Sequence, residues 1–216
     1  MKKYVISTLA VLALTATANA TDLPNKKKAP AASAAPVVAA AAAAVSSSDS
    51  LTVSYGQDLG TNFGAKVDDS YSVAYKHNLG LGFSASGVAS TTQAPNADLK
   101  QNVEGQFGYA LPEIAGVVVS GKAGIGERFT TSNFPYYALY GAADYKVMDG
   151  LTVNAVNYRY RDAFDAANNY KSHKIGTGVT YDLTSTYSLN VGVARSYDAS
   201  WNSTGDSVTG GLTIKF

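Results

Sequence analysis

The chain has 216 residues, no cysteine, and a formal charge of +1 from 17 basic and 16 acidic side chains. Without cysteine there is no disulfide framework and no Cys-ligated metal site, and the balanced charge argues against the basic surface of a nucleic-acid binder. Fifteen Tyr and 20 Gly beside a single Trp suit many short strands with aromatic anchors.

Residues 1–20 read as a secretory signal peptide. Lys2 and Lys3 form a positive start, Tyr4 to Thr17 is mostly apolar, and Ala18-Asn19-Ala20 is a small-x-small cleavage site, with cleavage expected after Ala20. Residues 21–50 read as a flexible Ala/Pro-rich periplasmic linker. Three lysines at 26–28, Pro30, Pro36 and a block of six Ala offer no periodic apolar face to bury. A plug or a transient helix over residues 29–48 is the alternative, the helix because Ala favours it. The apolar run 36–45 is too short to span a bilayer.

From Leu51 the chain alternates apolar and polar, the period of a strand with one greasy and one wet face. The apolar sets are Leu51, Val53, Tyr55; Tyr71, Val73, Tyr75; Leu81, Phe83, Ala85, Gly87; and Val103, Gly105, Phe107, Tyr109, Leu111. Ala115, Val117, Val119, Gly121 and Tyr137, Leu139, Gly141, Ala143, Tyr145 follow. The seventh set begins Leu151, Val153, Ala155 and then shifts phase to Val156, Tyr158, Tyr160, as a β-bulge would make it do. Ile175, Thr177, Val179, Tyr181 and Tyr187, Leu189, Val191, Val193 precede a last strand of Val208, Gly210, Leu212, Ile214 and Phe216.

Short links are expected at 76–80, 112–113, 147–150 and 184–186, and long polar ones at 57–70, 90–100, 127–135, 162–171 and 198–206. Short turns on one side and long loops on the other mark an all-β, antiparallel up-and-down transmembrane barrel over residues 51–216. Ten strands are expected, with eight as the alternative, and the even count puts both termini in the periplasm. A soluble sandwich would show the same alternation turned inside out. The tyrosines decide against it. Tyr75, Phe83, Tyr109, Tyr145, Tyr181, Tyr187 and Phe216 gather at the short-turn end, and Tyr55, Tyr71, Tyr137, Tyr158 and Tyr197 at the long-loop end, as two interfacial girdles.

The leader, the Thr21-Asp22-Leu23-Pro24 start, the Ala/Pro-rich spacer and the Leu212-Thr213-Ile214-Lys215-Phe216 ending together resemble small outer-membrane barrel proteins of alpha-proteobacterial type. These are grouped as porin-family or OmpA-like barrels without a peptidoglycan-binding domain. Common small members have eight strands, so ten is a departure. The resemblance implies a Gram-negative outer-membrane location with membrane lipid, lipopolysaccharide, periplasmic chaperones and the barrel-assembly machinery as partners. Leu212, Ile214 and Phe216 would be the C-terminal assembly signal.

By strand parity the charges fall on the wet face: Lys76, Glu104, Lys122, Asp144, Lys146, Lys174, Asp182 and Lys215, with Arg159 and Arg161 after the bulge. These are the candidate pore-lining residues. Charges inside a narrow barrel must be paired or wet. Small inward residues such as Ser54, Ser84, Gly108, Gly124, Gly178 and Gly192 leave room for water. One expectation is therefore a narrow porin passing small polar solutes or ions, with anions favoured by the basic excess. The other is a sealed barrel whose outer loops carry a structural or recognition role. Arg195 falls on the lipid register near the outer end; it sits among headgroups or is turned inward by a local register shift. The acidic outer loops also hold Phe129, Phe134, Phe164, Tyr170 and Trp201, more often packing residues than partner anchors. His173, near Asp162 and Asp165, is the sole candidate for rim hydrolysis. It lacks the Asp-x-His spacing of outer-membrane proteases, and no zinc-type or phosphate-loop motif is present, so the reading is of a non-enzyme without cofactor or metal.

Overall fold

A computed structural model describes residues 49–216 except 95–98, 132 and 169. The expected signal peptide, and the linker up to residue 48, lie outside the described residues. Ten antiparallel strands close into one barrel in simple up-and-down order, with β1 (Ser50–Leu59) paired to both β2 (Lys66–Gly80) and β10 (Ser203–Lys215). Between them run β3 (Phe83–Gln93), β4 (Lys100–Ala110), β5 (Val117–Phe129), β6 (Phe134–Met148), β7 (Leu151–Ala163), β8 (Ser172–Asp182) and β9 (Tyr187–Asp198). Closure gives every strand two hydrogen-bonded neighbours and leaves no edge.

The strands run further outward than the alternation marked. Asp58, Asp68, Asp69, Arg128 and Asp162, expected in loops, lie within strands, and Asp58 faces Asp68 across the β1–β2 ladder. Apolar alternation reports only the stretch that meets lipid, whereas backbone pairing continues wherever a neighbour is in register. The first short link also moves. The β2–β3 turn is Leu81-Gly82, not residues 76–80, with φ of +52° and +85°. Both central residues in the left-handed region make the type I′ geometry that matches strand twist. A side chain at Gly82 would collide with the Ala110 carbonyl, so glycine is required there. Leu111 and Ala115 likewise belong to the connection between β4 and β5.

The phase shift in β7 is a bulge at Ala155. Ala143 pairs with Val156 and Asp144 with Asn154, which leaves Ala155 without a partner on β6, and the β8 register skips at the same place. Thr177 Oγ1 donates to the freed Asn154 carbonyl at 2.8 Å. The bulge keeps Tyr158 and Tyr160 facing out and Arg159 and Arg161 facing in.

The molecule is inside out relative to a soluble protein. The buried apolar side chains are Tyr136, Ala138 and Ala163, while Ser84, Asn102, Glu104, His173, Ser188, Asp206 and Ser207 are buried and polar. Val53, Val103, Phe107, Val119, Ile125, Leu139, Val191 and Leu189 stand exposed around the outside. All seven aromatics expected at the short-turn end are exposed, and neighbours touch, Phe83 with Tyr109 at 4.7 Å and Tyr75 with Phe216 at 6.4 Å. At the other end Tyr55 meets Tyr71 and Tyr137 meets Tyr160. Arg195 keeps the outward register, opposite Ile175 and Asp206. No register shift turns it inward. Its guanidinium grips Asp206 with two bonds of 2.7 and 3.0 Å, and Asp206 also accepts from the Phe63 amide.

The barrel seam is tied at the short-turn end. The Phe216 amide donates to the Asp49 carbonyl at 2.9 Å, and the Asp49 carboxylate accepts from the Tyr75 hydroxyl at 2.6 Å and pairs with His77 Nδ1 at 2.7 Å. The Tyr75 bond holds the Asp49 carboxyl below its ordinary range.

Deleting Ala155 removes the extra residue and leaves β7 in unbroken alternation, so Arg159 and Arg161 should stay inward and the heat-modifiable folded band should persist on a gel. Deleting Asn154 together with Ala155 takes out one residue more, reverses the facing of the outer half of β7 and turns both arginines to lipid, at a cost of about 2–4 kcal/mol each near the midplane. The folded band should then vanish, and a double deletion that folds like the parent contradicts the facing given to β7.

Candidate functional site in the barrel interior

Strand parity brings ten charged residues of interest toward the inside; the register groups nine of them into three tiers, and Lys76 stands by itself on β2 opposite Ser50. At the short-turn rim, Lys215 Nζ meets Asp182 at 2.8 Å, and Ser188 donates to the same carboxylate at 2.5 Å. Lys146 turns to Asp149 in the adjoining turn at 2.9 Å and stands in the open mouth, half-exposed. Asp144 accepts from the Asn154 amide at 2.8 Å. Thr180, Asn190 and Thr213 continue that neutral network around the wall.

The middle tier is a single row across four strands. Lys122 on β5 faces Tyr140 on β6, Tyr140 faces Arg159 on β7, and Arg159 faces Lys174 on β8. Tyr140 separates the cations, with Lys122 Nζ 5.3 Å from its ring centre. Lys122, Arg159 and Lys174 make no ion pair among the described residues, and the buried Arg159 Nε has no hydrogen-bond partner. Like charges directly opposite in a ladder are unfavourable, so the row is a costly arrangement.

The outer tier fills one side of the lumen. Glu104 is 2 % exposed and Arg161 11 %, and they pair at 3.1 Å. The same carboxylate accepts from Tyr140 at 2.5 Å and Gln106 at 2.8 Å. Arg161 lies over the ring of Tyr136 at 4.6 Å. Tyr170, carried by the β7–β8 connection, reaches in and accepts from Arg161 at 2.9 Å and Arg128 at 2.7 Å. Glycines give this cluster its room: a Cβ at Gly124 would stand 2.6 Å from Glu104 Oε1, and one at Gly126 2.6 Å from Tyr136.

Bulk is thus supplied by β4 to β7, while β8, β9, β10 and β1 offer Gly176, Gly178, Gly192, Ala194, Gly211 and Ser54. The space left is a cavity of about 590 Å³. Of the ten expected residues, Lys76, Lys122, Asp144, Arg159 and Lys174 line it; Glu104 and Arg161 lie above it, and Lys146, Asp182 and Lys215 at the rim. Asn154, Asn157 and Tyr140 also line it and were not singled out by charge. Only strand parity in the sequence points to them.

His173 faces outward. It stacks on Trp201 at 4.1 Å, its Nδ1 bonds the Tyr158 hydroxyl at 2.8 Å, and its other ring neighbour is Tyr160. Its bonded and stacked partners are aromatic residues, and none is a carboxylate. Among the described residues no His/Asp/Glu group is placed to hold a metal ion.

No protein-family model matches the chain, and no curated protein does. Among solved structures it is similar to the COG4313 outer membrane channel from Pseudomonas putida F1, with a TM-score of 0.53 at 9 % identity over 79 % of this chain and 96 % of that one. The KdgM porin gives 0.46 at 12 % identity over 77 % and 99 %, and the NanC porin 0.47 at 14 % over 77 % and 100 %. At such identities the likeness is one of fold: a closed, antiparallel outer-membrane-type barrel.

Truncating Glu104 to Ala leaves Arg161 buried without its carboxylate, which costs about 3–5 kcal/mol. The urea midpoint of unfolding in micelles should fall accordingly, while Lys66→Ala, in an exposed pair with Asp69, should leave it nearly unchanged. Equal midpoints for the two variants contradict the structural role of the outer tier.

Proposed function

We propose that the protein is a narrow outer-membrane porin that lets small polar solutes or ions diffuse through the barrel. The observation that carries this reading is the cavity of about 590 Å³ lined by Ser, Asn, Gly and unpaired basic side chains. Such a lining is wetted rather than packed, and a barrel with a dry plug would satisfy its charges by ion pairs. The apolar exterior and its two aromatic girdles support residence in a lipid bilayer, with both termini periplasmic and lipopolysaccharide at the outer girdle. The terminal Leu212, Ile214 and Phe216 serve as the signal read by the assembly machinery, and the alpha-proteobacterial resemblance rests on that ending with the Thr21 to Pro24 start. Catalysis has no support at His173, whose neighbours cannot make it a general base paired with a carboxylate.

The outer tier favours a second reading in part, since Glu104, Arg161, Tyr136 and Tyr170 close one side of the lumen. In the porin reading they set the size limit. The test is osmotic swelling of liposomes holding the purified protein. A small uncharged polyol should enter and a trisaccharide should not, and Tyr170→Ala should speed the polyol. Liposomes that never swell, with the protein folded, favour the sealed barrel.

A further inference from the structure

Four cations and one carboxylate face the cavity: Lys76, Lys122, Arg159 and Lys174 against Asp144. Asp144 is already bonded by Asn154. The other inward acids near by are engaged, Glu104 by Arg161, Tyr140 and Gln106, and Asp182 by Lys215 and Ser188. Asp58 on β1 makes no ion pair with Lys174, and Asp68, opposite it on β2, makes none either and keeps a buried Oδ1 without a partner. Within one row the chain sets Arg159 directly opposite Lys174 and leaves a buried Nε unsatisfied. A merely structural interior would not keep this arrangement, because replacing either residue by Gln would relieve the repulsion.

The geometry points to a binding site for a small oxyanion, held by Arg159 and Lys174 with Lys122 on the far side of Tyr140. The guanidinium offers a planar pair of donors to a carboxylate or phosphate, and the ammonium adds a mobile point charge. Asn157, in the adjoining row and on the cavity wall, supplies a neutral amide. The cavity lies within the roughly 300–1,000 Å³ of small-molecule sites, so a small organic acid fits as well as phosphate. The inference rests on the porin reading, because the anion reaches the site from bulk water through the open lumen. It makes the pore selective for oxyanions and saturable.

The probe is inorganic phosphate titrated calorimetrically onto the protein purified in zwitterionic detergent, in chloride buffer. Saturable binding that weakens about tenfold or more in Arg159→Gln/Lys174→Gln, the change expected for losing about 1.4 kcal/mol of charge-assisted hydrogen bonding, and that survives in Lys66→Gln, supports the site. Lys174→Gln alone serves if the double variant loses its heat-modifiable band. No saturable binding by the parent protein, unchanged affinity in the variant, or displacement by chloride at equal concentration overturns it. Failure of the porin reading is seen separately, as phosphate binding by a barrel whose liposomes do not swell.

Discussion

In lipid an unpaired backbone amide or carbonyl costs several kcal/mol, and no water is at hand to satisfy it. Closing the β1–β10 seam removes the sheet's two edges at once, and the rest of the structure follows from that closure. The seam is reinforced where the chain enters and ends: Phe216 bonds back to Asp49, Asp49 binds Tyr75, and Tyr75 stacks on Phe216. With the edges gone, the outward face must be largely apolar and the inward face takes most of the charges. The few charged groups that face outward are handled one by one, Arg195 by Asp206 near the outer rim and His77 by Asp49 at the inner one.

Charges turned inward are treated in two ways, and the difference separates stability from function. Glu104 and Arg161 are bonded to each other and wrapped by tyrosines, which makes the β4–β7 side of the outer half a packed wall. The Lys122–Arg159–Lys174 row immediately inward has no such partners and faces open space. The small residues of β8, β9, β10 and β1 keep that space open. The barrel therefore resembles a half-filled core, rigid on one side and wet on the other.

Strand number, facing, the β7 bulge and both girdles were legible in the alternation, because lipid imposes one rule on every outward position. The strand ends were not. Asp58 and Asp68 read as loop, since beyond the membrane a ladder continues without an apolar signature. Leu81 read as the start of a strand, but only the left-handed backbone at Leu81 and Gly82 reveals the turn. Parity placed Lys122, Arg159 and Lys174 on the wet face. It could not show that they fall in one row, because register depends on turn lengths and on the extra residue at Ala155. Tyr170 read as loop decoration; its role beneath Arg128 and Arg161 depends on a chain reversal that no local pattern encodes. Arg195 stood between two readings until the unbroken β8–β9–β10 register kept it outside.

The central claim is that the interior is an open aqueous path. It is tested most directly by single-channel recording of the purified protein in a planar bilayer. The account predicts discrete current steps of small, uniform size that persist when the salt is varied. A silent bilayer, with the protein shown to be folded by heat-sensitive migration, would contradict it and mean that the outer tier seals the barrel.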